Sequence, residues 1–192
     1  MKSELNRAFF AITIPDKLIC KINDCILPLK NNLPFQIKWA SANQMHITLK
    51  FIKQLSLSHL PEIQSILKKK SIGIHEIQIA FDHLGTYPAG RDPRIIWLGV
   101  RNQTPLIHLA KQINTMMSKL GYQKENRPFS PHLTLARFNR SVIKKDGVKI
   151  KEILLAFEMK QSLVFTAKAY SLIHSKLTPQ GPIYTSLLDF KL

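Results

Sequence analysis

The chain contains 192 residues, of which 28 are Lys or Arg and 12 are Asp or Glu, giving a formal net charge of +16. This length suits a single domain, and the excess of positive charge indicates a polyanionic partner such as nucleic acid. No stretch reaches the ~18 consecutive apolar residues of a membrane span, and Met1 to Arg7 does not resemble a signal peptide. Cys20 and Cys25 have neither disulfide nor metal-site spacing. We therefore expect a cytoplasmic protein that contacts no membrane.

Hydrophobic periodicity and turn residues divide the chain into strands and helices. In chain order the sequence predicts strand Arg7–Ile14, helix Pro15–Lys30, strands Ile37–Trp39 and Met45–Ile52, helix Pro61–Lys70, strand Ile74–Asp82, loop Gly85–Pro93, strand Arg94–Val100, helix Thr104–Leu120, loop Asn126–Pro131, strand His132–Phe138, helix Lys149–Phe157, and strands Leu163–Ser175 and Ile183–Phe190. Such an alternation predicts an α+β fold with helices outside the sheets.

The tetrapeptide His-x-Thr-Leu occurs twice, as His46-Ile47-Thr48-Leu49 and as His132-Leu133-Thr134-Leu135. Within a strand, residues i and i+2 point to the same face, so each His shares a face with the Thr of its own motif. The same alternation assigns Phe51 to the opposite, apolar face. Two imidazoles, each beside a hydroxyl, predict a cleft that handles a phosphate.

A half-chain unit is repeated around these motifs. The two His residues are 86 positions apart (132 − 46), and the similar strands that begin at Arg7 and Arg94 are 87 apart (94 − 7). Each of these strands is followed by a helix and then by its own motif strand. The repeat therefore predicts two similar halves with one motif in each.

The paired motifs match the needs of phosphodiester cleavage without a metal. His46 and His132 suit the roles of proton donor and proton acceptor, because the unperturbed pKa of histidine is about 6.5. Thr48 and Thr134 suit the binding of phosphate oxygens as charge shifts during the reaction. The halves are nearly symmetric, so this chemistry alone leaves open which His is the acid.

Other catalytic sites fit the sequence less well. Neither motif has acidic or Cys neighbours to complete a zinc site, which needs three or four ligands. The chain has no Gly-x-Ser-x-Gly segment and no phosphate-binding loop ending in Gly-Lys. We therefore expect neither a metal nor a cofactor.

The motifs and several other segments resemble the two-histidine (2H) phosphoesterase superfamily, and within it the bacterial and archaeal RNA 2′,3′-cyclic phosphodiesterases, also called 2′-5′ RNA ligases. The matching segments are Arg7–Ile12, Trp39–Phe51, Arg94–Gly99, Pro131–Arg137 and Ser175–Tyr184. The resemblance implies a LigT-like fold with residues 1–192 in one bilobal domain. In this fold two interleaved sheet-plus-helix lobes are related by a pseudo-two-fold axis, and a cleft holds both motifs.

The resemblance also implies an activity and roles for individual residues. RNA ends with a 2′,3′-cyclic phosphate, tRNA-like fragments among them, would be hydrolysed to 2′-phosphomonoesters, with reversible 2′-5′ joining as a second activity. His46 would be the proton donor and His132 the acceptor, while Arg137 and Phe10 would stack on the terminal base. Strict alternation places Arg137 opposite His132, so its role requires a bulge or the strand end. We expect a monomer.

Two alternatives remain at this stage. One is a non-catalytic RNA-binding module that keeps the fold and the charge. The other is a 2H phosphoesterase with another substrate, such as a cyclic ADP-ribose phosphate or a 2′-5′ oligoadenylate. We expect loops Gly85–Asp92 and Asn126–Ser130 to determine the choice of substrate.

Overall fold

One antiparallel sheet organises the computed structural model, which describes residues 5–33, 37–70, 75–88, 93–138, 140–160 and 162–192. Its strands are β1 (Leu5–Thr13), β2 (Ile37–Trp39), β3 (His46–Ser56), β4 (Ile77–Tyr87), β5 (Ile95–Val100), β6 (His132–Phe138), β7 (Leu163–Ala167), β8 (Ala169–Thr178) and β9 (Gly181–Lys191). Their order across the sheet is β7-β4-β5-β6-β3-β1-β8-β9, and β2 pairs with β6. The two motif strands, β3 and β6, are therefore neighbours at the centre of the sheet.

Helices pack against one face of this sheet. They are α1 (Asp16–Cys25), α2 (Leu27–Asn32), α3 (Leu60–Lys70), α4 (Thr104–Lys119) and α5 (Arg140–Ala156). Their buried residues recur every three or four positions, as on α4, where Leu106, Leu109, Ile113 and Met117 face the core. The predicted α+β class is confirmed. In the described ranges, no helix has the length and apolar character needed to cross a membrane.

The two faces of the sheet have different surroundings. Phe10 of β1 packs with the helices in the main core. Phe9 and Ala11, which alternate with it, form a separate small cluster with Ile173 of β8 and Tyr184 of β9. We call this second face, on the side of the sheet away from the main core, the motif face.

Two predicted helices have different bounds in the structure. The predicted helix Pro15–Lys30 is divided into α1 and α2 at Ile26, just before Pro28. Proline has no N–H to continue the helical hydrogen bonds, but it is well tolerated in the first turn of a new helix. The predicted helix Lys149–Phe157 is only the second half of α5.

Two strand predictions also change. The predicted strand Leu163–Ser175 is divided into β7 and β8, which pair with different partners, β4 and β1. The predicted loop from Gly85 begins later, because β4 continues to Tyr87. Residues 89–92 of that loop and Ile74, predicted to begin a strand, lie outside the described residues.

The two halves pair their strands in the same register. Ala11 of β1 lies opposite Thr48 of β3, and Trp97 of β5 lies opposite Thr134 of β6. Both pairs are related by 86 positions (97 − 11 and 134 − 48), as are the two motif histidines. Arg7 and Arg94, which are 87 positions apart, are therefore not equivalent, and Arg94 corresponds to Ala8 (94 − 8 = 86).

Candidate active site

The motifs meet where β3 pairs with β6. Ile47 is the Cα partner of Leu133, and both side chains are fully buried on the core face. In an antiparallel pair this register places His46 opposite Thr134 and Thr48 opposite His132, all on the motif face. Diagonal neighbours across such a pair lie about 7–8 Å apart. The two imidazoles are therefore close enough to act on one phosphate group.

A backbone carbonyl orients each imidazole. Nδ1 of His132 lies 2.8 Å from the carbonyl oxygen of Ser130, and the ring of His46 bonds the carbonyl of Gln44 in the same way. A carbonyl only accepts hydrogen bonds, so the bonded ring nitrogen carries the proton. In each neutral ring the other nitrogen can then accept a proton, and it can deliver one only after it has been protonated.

Two aromatic rings enclose His46. Phe9 stacks on the imidazole with ring centroids 4.6 Å apart, and Tyr184 meets it edge-on at 5.4 Å. Phe9 and Tyr184 also touch each other, at 5.0 Å. This packing fixes the plane of the imidazole and removes much of its surface from water.

Two other aromatic rings enclose His132. Tyr87 meets it edge-on with centroids 5.3 Å apart, and Trp97 lies 5.8 Å away. The Trp97 ring occupies space that only a glycine leaves open, because a Cβ at Gly85 would lie 2.1 Å from its Cζ2 atom. Gly85 thus allows the indole to form a wall of the site.

Burial and nearby positive charge lower the pKa of both imidazoles in the free protein. Burial, together with the charges of Arg137 and His132, lowers the pKa of His46 to about 4, although the carbonyl of Gln44 opposes this. The pKa of His132 is also lowered, by burial and by Arg137, against the opposing effect of Ser130. A bound phosphate anion would reverse part of these shifts.

A β-bulge brings Arg137 to the motif face. Between Thr134 and Ala136 the pairing advances two residues on β6 but only one on β5, so Leu135 is an extra residue. Leu135 and Ala136 are both buried, and Arg137 is exposed. The bulge that the role of Arg137 requires is therefore present. Within the described ranges, Arg137 forms no ion pair with a carboxylate.

The same bulge occurs at Leu49 in β3. It turns Phe51 onto the motif face, where 68% of its surface is exposed and its ring lies 6.0 Å from that of Phe9. The prediction that Phe51 faces the apolar side is therefore wrong. The prediction that Phe10 stacks on a base is also wrong, because Phe10 has no exposed surface and lies in the main core.

The threonines of both motifs are available to a ligand. Thr48 and Thr134 are partly exposed, and within the part of the chain that the structure describes their hydroxyls have no hydrogen-bond partner. The described residues also contain no group of three or more His, Cys, Asp or Glu side chains placed to hold a metal ion. Hydroxyls and a guanidinium are thus among the side-chain groups beside the two imidazoles, and both can donate hydrogen bonds to an anion.

The family model of the 2′-5′ RNA ligase superfamily matches residues 34–177. The chain belongs to this superfamily. A Methanocaldococcus jannaschii relative named RNA 2′,3′-cyclic phosphodiesterase is 33% identical over 96% of this chain and 99% of its own length. A relative of the same name from Methanothermobacter thermautotrophicus is 28% identical over 97% of this chain and 98% of its own length.

Solved structures show the same fold for this superfamily member. A crystal structure of E. coli LigT complexed with 3′-AMP has a TM-score of 0.76 at 22% identity, and covers 98% of this chain and 99% of that one. A crystal structure of a phosphoesterase has a TM-score of 0.77 at 24% identity over 98% and 99% of the two chains. The predicted LigT-like fold is therefore confirmed.

Several residues of the site were not predicted to belong to it, and for one of them the spacing of the two motifs gives a position in the sequence. Phe51 and Arg137 are 86 positions apart (137 − 51), and each stands three residues after the Thr of its motif. The 86-residue offset therefore pairs Phe51 with Arg137, which was already predicted to bind substrate, although the two residue types differ. Phe9 and Tyr184 have no comparable signal, because their contacts with His46 depend on strand pairing.

Proposed function

We propose that this chain hydrolyses RNA 2′,3′-cyclic phosphate ends to 2′-phosphomonoesters, the activity for which its relatives are named. The observation that carries the proposal is the pairing of Ile47 with Leu133, which places a His and a Thr from each half around one point. The bulge that turns Arg137 onto the same face adds a cation where the phosphate would lie.

In the proposed reaction His132 takes a proton from water while the water oxygen forms a bond to phosphorus. The bond between phosphorus and O3′ breaks, and His46 delivers its proton to O3′, so that the phosphate remains on O2′. Proton exchange with solvent then restores both imidazoles. The assignment of His46 as acid and His132 as base follows the resemblance, since the halves are nearly symmetric.

Arg137, Thr48 and Thr134 hold the phosphate in this proposal. The positive charge of Arg137 lowers the pKa of both imidazoles, so the guanidinium lies within electrostatic reach of each. That position suits a non-bridging phosphate oxygen better than a base. The threonine hydroxyls donate to the remaining oxygens, where charge develops in the transition state.

Phe51 is the proposed platform for the terminal base. We expect Phe51→Ala to lower kcat/KM for adenosine 2′,3′-cyclic phosphate about 5- to 150-fold, because stacking on an aromatic ring contributes about 1–3 kcal/mol per base. Phe51→Trp should retain most of the activity. Leu27→Ala, which removes an exposed apolar side chain from α2, is the matched control and should have no effect. Equal kinetics for the Ala and Trp variants would contradict this role.

The pH profile of kcat/KM should lie below neutral pH. This ratio reports the free enzyme. There the pKa of the acid His46 is about 4, so His46 loses its proton above that pH. The pKa of the base His132 is lowered, so His132 loses its proton at a lower pH than an ordinary histidine does. Bound phosphate raises the pKa of His46, so the bell for kcat should lie at higher pH. Initial rates from acid to mild base measure both curves. A kcat/KM that still rises above pH 7 would be inconsistent with these pKa shifts.

Product analysis tests the proposed function directly. Purified protein in excess EDTA should open an RNA oligonucleotide that ends in a 2′,3′-cyclic phosphate and leave a 2′-phosphate. A 3′-phosphate product, or activity that disappears with chelator, would contradict the mechanism. A 5′-hydroxyl RNA added to the same reaction tests joining, because that hydroxyl can replace water and form a 2′-5′ linkage.

We also propose that residues 1–192 act as one domain and as a monomer. Both motif strands come from the same chain and pair with each other, so the site needs no second subunit. Light scattering on the purified protein should give the mass of one chain. A dimer that loses activity on dissociation would contradict this.

A further inference from the structure

Another cation of the motif face lies at the start of β1. Strand β1 alternates regularly, because at both bulges between β1 and β3 the extra residue belongs to β3. Arg7 therefore shares the face of Phe9 and Ala11, and its side chain is exposed. In the described part of the chain, no carboxylate pairs with Arg7.

Tyr184 connects Arg7 with the phosphate site. Its ring touches Phe9 and His46. Burial raises the pKa of Tyr184, while the charges of Arg137 and Arg7 both lower it. The Tyr184 hydroxyl thus lies within the fields of two arginines, one beside the imidazoles and one further along β1.

Charge favours this side of the site over the other half. The 86-residue offset places Pro93 at the position that corresponds to Arg7 (93 − 7), so the second half has no equivalent cation there. On β9, the carboxylate of Asp189 accepts hydrogen bonds from Ser171 and Ser186 and does not pair with Arg7. An anion that extends from the imidazoles over the first half therefore meets Arg7 as its free partner.

We propose that Arg7 and the Tyr184 hydroxyl bind the phosphodiester on the 5′ side of the terminal nucleotide, so that the protein prefers RNA chain ends to mononucleotides. This inference rests on the proposed function. The terminal ribose carries the cyclic phosphate at O2′ and O3′ and the upstream phosphate at O5′. With the cyclic phosphate at the imidazoles and the base on Phe51, which contacts Phe9, the upstream phosphate would extend along β1 toward Arg7, two residues before Phe9 on the same face.

The test compares three substrates: adenosine 2′,3′-cyclic phosphate, the same nucleotide with a 5′-phosphate, and the adenosine dinucleotide that ends in a cyclic phosphate. We expect wild-type kcat/KM to be about tenfold higher for the two that carry an upstream phosphate, as one charge-assisted hydrogen bond provides. Arg7→Gln should reduce this ratio to nearly one, Arg7→Lys should keep part of it, and Tyr184→Phe should lower it less.

The salt dependence of the ratio gives a second measurement. The wild-type preference should fall as salt rises, because one phosphate contact contributes about one counterion to the slope, and the Arg7→Gln ratio should not change with salt. Lys21→Gln is the matched control, since it removes an exposed cation from α1 and should preserve the ratio.

The outcomes separate the two proposals. A wild-type ratio near one, or an Arg7→Gln variant that keeps the preference, would overturn the inference while the hydrolytic activity stands. An equal loss for all three substrates would make Arg7 a structural residue and would also overturn it. A wild-type protein that hydrolyses none of them would overturn the proposed function, and the inference with it.

Discussion

His46→Ala and His132→Ala are each expected to lower kcat about 10²- to 10⁴-fold on a 2′,3′-cyclic phosphate, the usual contribution of a positioned acid or base. The double variant should be little worse than either single variant, because residues that act in one step are not additive. His108→Ala is the control, since His108 lies exposed on α4. Single-turnover rates with the four variants measure these effects.

A substrate with sulfur in place of the bridging O3′ distinguishes the two roles. A thiolate leaves without a proton far more readily than an alkoxide, because a thiol has a pKa near 8.5. This substrate should restore much of the rate of His46→Ala and none of the rate of His132→Ala. Rescue of His132→Ala instead would exchange the assigned roles, and rescue of neither would argue against a proton donor at O3′.

Arg137→Ala is expected to lower kcat/KM about 10²- to 10³-fold, the usual loss on removing one donor to a developing oxyanion. Arg137→Lys should recover only part of this, because an ammonium keeps the charge but not the two parallel N–H donors of the guanidinium. Lys38→Gln is the matched control: Lys38 of β2 is the Cα partner of Arg137 and is also exposed. It should cost much less.

The pH profile provides an independent check on Arg137. Its charge lowers the pKa of His46 and of His132, so the Ala variant should shift both limbs of the kcat/KM bell to higher pH. The Lys variant, which keeps the charge, should leave the limbs near their original positions. A lower rate with an unchanged profile in Arg137→Ala would mean that the guanidinium does not lie beside the imidazoles.

Strand alternation predicts the face of His46, Thr48, His132 and Thr134 because each motif is regular from its His to its Thr. It fails immediately afterwards, at the motif leucines, where an extra residue is set by the neighbouring strand. A bulge depends on the partner register, which one strand's own sequence does not contain. The face of Phe51 could therefore not be predicted from alternation, although the 86-residue offset pairs Phe51 with Arg137.

The choice between Phe9 and Phe10 is a similar case. Both are aromatic, and both are at most 3% exposed, so neither polarity nor periodicity decides which one faces the helices. The structure decides it through register: Ala11 lies opposite Thr48, and Phe9 shares the face of Ala11. The chemistry of the site could be predicted from residue types, whereas the aromatic walls depended on tertiary pairing.

The order of the strands implies that the halves have exchanged their closing segments. The first half ends in β4, which pairs with β5 of the second half, and β8 of the second half pairs with β1 of the first. Such a mutual exchange of strands is typical of a domain-swapped dimer, but here both halves belong to one polypeptide. Neither half alone has a complete sheet. The spacing of the two imidazoles is therefore set only when the whole chain folds.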